Sequence, residues 1–311
     1  APSRHFDRYH PTGVTTPRVQ RSGDSANHPM TLGAIEGFRT GEIDEEEMLK
    51  ARAAYFACVD FLDEMLGDFL AVLERDGLLE NTAIIYTSDH GELCGEHGLF
   101  WKNTWHEASA RVPLIVSLPE HRCGEINPNT IAAPTSLADL YPTLCGLTAT
   151  PPPCDLDGLD LSPTLRGDSC PALSARPGVI TESLSPRWGP GTEFRMIRNE
   201  RYKYVAFRDC EDLAFDLSKD PDEQVNIATC AGSEVATDLR NLNDAVMNGF
   251  SFDAAEALRE RQVAELRERY PSRVKCRTPN QILRGDQILV EADQALYSSK
   301  IVSDRISDDF A

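Results

Sequence analysis

The sequence lacks any apolar run as long as the roughly 18 residues that a membrane-spanning helix needs. It also has few basic residues: 31 Lys and Arg stand against 50 Asp and Glu, a formal net charge of −19. Because nucleic acids and anionic lipid surfaces bind basic patches, we expect neither nucleic acid nor a membrane as a partner. A small anionic substrate is compatible with this negative net charge, because a metal ion or a single lysine can make the electrostatic potential locally positive.

The nine cysteines lack the Cys-X-X-Cys spacing of zinc ribbons, and an odd number cannot pair completely into disulfides. We therefore expect reduced, mostly buried thiols, which favour the cytoplasm. Residues 1–6 lack the basic and apolar pattern of a secretory signal, and the chain does not start with methionine. We expect the chain to begin inside a longer protein.

The chain has 311 residues, which suit one large domain or two unequal ones. Residues 151–178 hold three consecutive prolines and three further ones, a composition typical of a connection between domains. We predict a large domain over residues 1–150, a proline-rich connection over 151–178, and a small α+β domain with a tail over 179–311.

The first 150 residues have the pattern of an α/β domain. Residues 1–41 are polar and rich in proline and glycine, and we predict an irregular surface segment there. Apolar residues spaced three or four apart over 48–73 predict one helix of about 30 residues packed on a core. Short apolar runs predict buried strands over 82–87 and 112–118, with a long loop between them and a helix over 136–147.

This order of elements predicts helices layered on a mostly parallel sheet, with 82–87 as an interior strand. In such sheets ligands bind in loops beyond the carboxyl ends of strands, and the loop that starts at Ser88 has that place. Beyond residue 178 the pattern changes to short strands over 179–182, 194–198, 202–207 and 213–217. A helix containing Ala255 and Leu266 follows, so we predict a small antiparallel sheet with a helix.

The loop after the first strand contains the side chains most suited to chemistry. Asp89 and His90 leave the strand together, and a carboxylate and an imidazole held there can bind one divalent cation. Lys102 follows in the same loop, where its ammonium could hold the oxygens of a phosphate or sulfate group. A capped turn and a surface lysine are the structural alternatives. Glu96 and His97 could also be ligands, although a loop histidine is more often a hydrogen-bonding strut.

Two segments of this loop resemble the second signature of the sulfatase family, within the alkaline phosphatase superfamily. They are Ser-Asp-His-Gly-Glu at 88–92 and Gly-Glu-His-Gly-Leu-Phe-Trp-Lys at 95–102, followed by Glu107 and by Arg-Val-Pro-Leu-Ile-Val at 111–116. Residues 6–11 are similar to a segment of choline-sulfatase-like and phosphonate-monoester-hydrolase-like members. Residues 201–204 and 215–226 resemble the C-terminal strands and turn of the family.

The resemblance implies that Asp89 and His90 are metal ligands and that Lys102 holds the sulfate oxygens. The implied cofactors are a divalent metal, with Ca²⁺ expected first and Mg²⁺ or Mn²⁺ as alternatives, and a formylglycine nucleophile. The implied activity is that of a metal-dependent sulfuric ester hydrolase acting on a small sulfate ester. A homo-oligomer is compatible with this interpretation.

The chain departs from the family pattern at the nucleophile. None of its nine cysteines begins a Cys-X-Pro-Ser-Arg motif, and the paired N-terminal aspartates of the metal site are missing. We therefore expect the C-terminal part of a sulfatase, with the formylglycine outside this chain and the chain alone inactive. One alternative is a phosphonate or phosphate diester hydrolase of the same superfamily. Another is a non-catalytic fragment that binds a metal or a glycan.

Overall fold

The computed structural model describes residues 1–229 and 233–269, together with the backbone of two strands at 282–284 and 287–290. The helices are α1 Ser3–Tyr9, α2 Pro29–Phe38, α3 Glu45–Arg75, α4 Glu107–Ala110, α5 Pro119–Arg122, α6 Leu140–Leu147, α7 Ser162–Leu165, α8 Pro171–Ala175, α9 Ser233–Met247 and α10 Phe252–Arg269. The strands are β1 Ile84–Thr87, β2 Leu114–Ser117, β3 Val179–Ser183, β4 Phe194–Arg198, β5 Tyr202–Phe207, β6 Leu213–Asp216, β7 Ile282–Arg284 and β8 Gln287–Val290.

The contacts divide the chain into two compact units. The first comprises Ala1–Arg21 and Glu42–Val179, and the second comprises Ser22–Gly41 and Ile180–Ala311. The α/β class with a small antiparallel sheet is confirmed, whereas the domain division at 150 and 178 stays a prediction. Across the residues described, no helix is both long enough and apolar enough to cross a membrane.

The helix predicted from apolar spacing is α3, with 31 residues. Its start is fixed by a capping box, in which the Asp44 carboxylate accepts from the Glu47 backbone N–H at 2.8 Å. The helix ends before Gly77, whose φ of +65° is the left-handed conformation that closes many helices. Both ends therefore follow from local sequence.

The apolar stripe of α3 is more exposed than predicted. Ala53 and Ala57 are buried, whereas Tyr55, Val59, Leu62 and Phe69 are 41–54% exposed. The expectation that the whole stripe packs on a core is thus wrong for this surface. Spacing identifies which side of a helix is apolar, but it does not show what covers that side.

β1 and β2 pair with each other in an antiparallel ladder, with Thr87 opposite Leu114 and Ile84 opposite Ser117. A mostly parallel sheet with 82–87 as an interior strand was predicted, whereas this pair is antiparallel and both strands are only partly buried. The physical reason is the connection: a parallel pair needs a crossover to the opposite end of the sheet. Here the loop from 88 to 113 leaves β1 and enters β2 at the same end.

The first 41 residues are more ordered than predicted, because they form α1 and α2. The ring of His5 in α1 is buried, and its Nδ1 lies 2.9 Å from the Asp60 carboxylate of α3. Arg8 donates to the same carboxylate at 2.7 Å. These partners are more than 50 positions away along the chain, so no local pattern could have indicated them.

The proline-rich residues 151–178 contain α7 and α8 and have fixed contacts within the first unit. Arg176 donates to both oxygens of the buried Asp139 carboxylate at 2.8 and 2.7 Å. Asp139 also accepts from the backbone N–H groups of Ser136 and Leu159. Burial opposes ionisation of Asp139, but Arg176 and the two N–H groups outweigh it, so its pKa is lowered. Asp139 thereby anchors this stretch through a charged pair.

The second unit contains a four-stranded sheet in the order β3-β4-β5-β6, with β4–β5 and β5–β6 antiparallel. β4 and β5 have the predicted bounds. Helix α9, which the sequence pattern did not predict, packs on β4 and β5. The core between them contains Ile197, Tyr202, Tyr204, Ala206, Ala214, Leu239, Leu242 and Val246.

An ion pair at the end of β6 gives this unit a testable acid sensitivity. Arg201 donates to Asp216 at 2.8 Å, and the pKa of Asp216 is lowered to about 2, first by Arg201 and then by Ser218 after burial is overcome. A carboxyl group with a lowered pKa stabilises the fold above its unfolded pKa, and that contribution is lost as the pH falls through the folded value.

We therefore expect Asp216→Asn to be less stable than the wild type at pH 7, and the difference to shrink between about pH 4 and pH 2. The loss should be roughly 1 kcal/mol, because Arg201 is about half exposed and water screens the pair. Urea unfolding at several pH values measures it, with the exposed Asp168→Asn as control. A difference that is independent of pH would contradict this assignment.

Candidate functional site

The predicted metal-binding pair lies directly after β1, and backbone contacts hold it on both sides. Thr87 is in the ladder with β2, and the Gly91 N–H donates to the Ser109 carbonyl at 2.8 Å. A Cβ at Gly91 would lie 2.1 Å from the Ala108 carbonyl oxygen, so this approach requires glycine. Asp89 and His90 are therefore confined between two fixed points.

The two side chains face each other. His90 Nε2 lies 3.3 Å from Asp89 Oδ2, and His90 Nδ1 lies 2.8 Å from the Gly91 carbonyl oxygen. Since a carbonyl only accepts, Nδ1 carries the proton in the neutral ring and Nε2 has a free lone pair. The lone pairs of Asp89 Oδ2 and His90 Nε2 repel each other at this distance. A shared proton or a cation between the two atoms removes that repulsion.

These donor atoms fit one divalent cation. Two ligands bound side by side at roughly 2.0–2.6 Å from a metal lie about 3 Å apart. The Nδ1 hydrogen bond to a backbone carbonyl is the usual way to orient a histidine ligand. Two ligands do not complete a site, and within the described ranges no group of three or more His, Cys, Asp and Glu side chains could hold a metal.

Asp89 is fixed through its other oxygen. Its Oδ1 accepts from the His90 backbone N–H at 3.0 Å and from the Ser88 hydroxyl at 3.3 Å. Partial desolvation opposes ionisation, but the neighbouring His90 and these hydrogen bonds outweigh it and lower the pKa of Asp89. The carboxylate is therefore ionised near neutral pH, as a metal ligand must be.

Lys102 lies between two residues with unusual backbone conformations. Trp101 has φ +64° and Asn103 has φ +71°, which are left-handed values in residues other than glycine. Such residues often mark functional sites, because the surrounding structure must hold them there. Lys102 is partly buried. Its ammonium makes no hydrogen bond or ion pair with Asp89, His90 or any other described residue.

The two further ligand candidates have structural contacts. The Glu96 carboxylate accepts from the backbone N–H groups of Arg18 and Val19, and Arg52 lies 3.3 Å from it. The His97 ring is buried and packs against the His106 ring, with 4.1 Å between ring centroids. These contacts hold the loop together.

The loop contains a buried thiol and borders a groove. Burial raises the pKa of Cys94 to about 11, so the thiol stays protonated and is a poor nucleophile.

A groove of about 500 Å³ opens beside α4. Its lining residues are Glu107, Ala108, Arg111, Val112, Pro113 and Leu114. The groove adjoins the strand end that carries Asp89, because Leu114 pairs with Thr87.

Two family models match this chain. The model described as Sulfatase matches residues 4–150, and the model described as N-sulphoglucosamine sulphohydrolase, C-terminal, matches residues 95–247. Together they span residues 4–247, including Asp89, His90 and Lys102. These matches confirm the resemblance to the sulfatase family, within the alkaline phosphatase superfamily, that was seen in the sequence.

The individual proteins that are similar to this chain include arylsulfatases and a phosphonate monoester hydrolase. Arylsulfatase K of Rattus norvegicus is 36% identical over 61% of this chain and 34% of its own length. Phosphonate monoester hydrolase of Agrobacterium radiobacter superposes with a TM-score of 0.58 and 30% identity, over 66% of this chain and 42% of that one. A protein solved in complex with its substrate D-glucosamine-2-N,6-O-disulfate gives a TM-score of 0.53 and 28% identity, over 68% and 44%. The chain spans about one third of the length of the curated relatives it matches.

Proposed function

We propose that the protein carrying this chain is a metal-dependent sulfuric ester hydrolase, and that the loop at 88–111 supplies part of its active site. The observation that carries the proposal is the Asp89–His90 pair, with facing donor atoms 3.3 Å apart and the Nδ1 proton given to a backbone carbonyl. The sulfatase models and the arylsulfatase K relatives support this class of reaction. Similarity to the sulfatase family implies, in general, a divalent metal and a formylglycine as cofactors.

In this proposal each residue has one task. Asp89 and His90 would hold the metal, which supplies positive charge to polarise the sulfuryl oxygens. Ser88 and the Gly91 carbonyl orient these two ligands through hydrogen bonds. The Lys102 ammonium would contact the oxygens of the transferring group, where it stabilises negative charge. We propose Ca²⁺ as the metal, with Mg²⁺ or Mn²⁺ as alternatives. The Asp89 carboxylate suits Ca²⁺ or Mg²⁺, whereas the His90 imidazole shifts the preference toward transition metals such as Mn²⁺.

A phosphonate or phosphate diester hydrolase is the second candidate. It is favoured by the similarity to phosphonate monoester hydrolase, 30% identical over the matched region. The two candidates would use the same three residues and differ in the leaving group and the transferring atom. The cytoplasmic location and a homo-oligomer stay predictions from the sequence.

The test is metal-dependent turnover of an aryl sulfate and of a phosphonate monoester by the protein that carries this chain. We expect chelation to abolish turnover, and Asp89→Ala to weaken metal affinity at least tenfold, with excess metal partly restoring the rate. Isothermal titration calorimetry gives the metal affinity, and the exposed Asp63→Ala is the control. Turnover that survives exhaustive chelation, or Asp89→Ala with unchanged metal affinity, would contradict the proposal.

A further inference from the structure

Glu92 connects the metal-binding pair with Lys102. We propose that Glu92 is a positioning residue: its carboxylate holds the Trp101 backbone and thereby sets where Lys102 lies relative to Asp89 and His90. This inference rests on the proposed function, since it assigns Lys102 a place beside the transferring group. It is carried by three observations on the loop backbone.

The first observation is that one carboxylate oxygen of Glu92 accepts two hydrogen bonds. Glu92 Oε1 accepts from the Trp101 N–H at 2.6 Å and from the Cys94 N–H at 2.9 Å. A carboxylate acceptor makes these bonds shorter and stronger than neutral ones. One oxygen atom therefore joins two points of the loop that are seven residues apart.

The second observation is that both polar backbone groups of Trp101 are held. Its carbonyl oxygen accepts from the Leu93 N–H at 2.9 Å, while its N–H donates to Glu92. Trp101 has φ +64°, a conformation that persists outside glycine only where the surroundings hold it. Because Lys102 is the next residue, its direction depends on this held conformation.

The third observation is the rigidity of the connection. The Gly91 N–H is bound to the Ser109 carbonyl, so the short segment from Asp89 to Glu92 is fixed. Leu93 and Leu99 are fully buried, and the Gly95 N–H donates to the Leu99 carbonyl at 2.7 Å. A displacement of about 1 Å at a reacting group can cost roughly 10²-fold in rate. The Glu92 contact is therefore placed where it controls such a displacement.

Two substitutions separate the contact from the charge of Glu92. Glu92→Gln keeps an oxygen that can accept both N–H groups but removes the charge, whereas Glu92→Ala removes the acceptor. NMR hydrogen exchange on the protein that carries this chain should show the Trp101 and Cys94 amides exchanging at least tenfold faster in Glu92→Ala. Glu92→Gln should stay within about threefold of the wild type, as should the exposed control Glu80→Ala.

Kinetics on the protein that carries the chain provide the second readout. We expect Glu92→Ala to lower kcat by roughly 10–100-fold with a smaller change in KM and metal affinity within twofold, and Glu92→Gln to keep kcat within about fivefold. Unchanged exchange of the Trp101 amide in Glu92→Ala would overturn the inference. A Glu92→Gln variant with a protected Trp101 amide and a kcat as low as that of Glu92→Ala would also overturn it, since the charge would then be what matters. If the wild type is inactive on both esters while the Trp101 amide exchanges faster in Glu92→Ala, the proposed function is wrong. The backbone contact of Glu92 is still supported in that case.

Discussion

Replacing Lys102 by alanine should lower kcat/KM for an aryl sulfate by roughly 10²–10³-fold in the protein that carries this chain, the scale for losing one charge-stabilising group. The structure supports this expectation, because the Lys102 ammonium has no hydrogen-bonding or ionic partner within the described part of the chain. Its charge is thus available to a ligand. Stability should change by no more than about 0.5 kcal/mol, since the ammonium makes no hydrogen bond or ion pair within the described part of the chain.

Three comparisons separate this role from packing. Excess metal should not restore Lys102→Ala, whereas it should partly restore Asp89→Ala, because only the latter loses a ligand. Lys50→Ala on α3 is the matched control, since Lys50 is exposed and remote in sequence from the loop. Lys102 would be a structural residue if Lys102→Ala kept near-normal kcat/KM while its melting temperature fell by several degrees.

Replacing Lys203 by methionine should destabilise the second unit by about 3–5 kcal/mol, the range for breaking a buried ion pair. Lys203 Nζ lies 2.6 Å from Glu223 Oε1, and the two side chains are 0% and 2% exposed. Methionine fills the space of the lysine stem but removes the ammonium that lies beside the buried Glu223 carboxylate. The cost therefore comes from the desolvated charge that remains.

A double-mutant cycle tests this explanation. Lys203→Met combined with Glu223→Gln removes both charges, and it should recover a large part of the lost stability. Urea unfolding followed by circular dichroism measures all four proteins, and Lys219→Met is the control because Lys219 is 75% exposed. Additive losses in the double variant would show that the pair does not act through charge burial. If Lys203→Met fails to fold, folding of the double variant still decides the question.

The parts of the fold that the sequence predicted well are those fixed by neighbours along the chain. The bounds of β4 and β5 follow from alternating and β-branched residues, and α3 has its cap and its stop within a few positions of its ends. The structure of residues 1–41 was missed, because His5 in α1 is held by Asp60 of α3 rather than by local pattern. The pairing direction of β1 also depends on a partner strand that its own residues do not specify.

The candidate site, like the fold, was predictable where neighbours along the chain define it. A carboxylate and an imidazole at the end of an apolar strand indicated Asp89 and His90, and the structure brings their donor atoms together. Their role as metal ligands, and that of Lys102 as a sulfate contact, stay predictions. Glu92 was missed as an individual residue because its partners are backbone N–H groups, which any sequence provides. The one available signal was its place in Asp-His-Gly-Glu at 89–92.

The exposure of Trp101 has a spectroscopic consequence. The sequence has three tryptophans, and Trp105 and Trp188 are 0% and 6% exposed, whereas Trp101 is 44% exposed. A dissolved quencher such as acrylamide therefore reaches essentially one indole, and that indole is adjacent to Lys102 in the chain. Comparing neutral acrylamide with anionic iodide would report the local electrostatic potential at this point without any label. The intrinsic fluorescence of the chain thus contains a built-in probe of anions arriving at the loop.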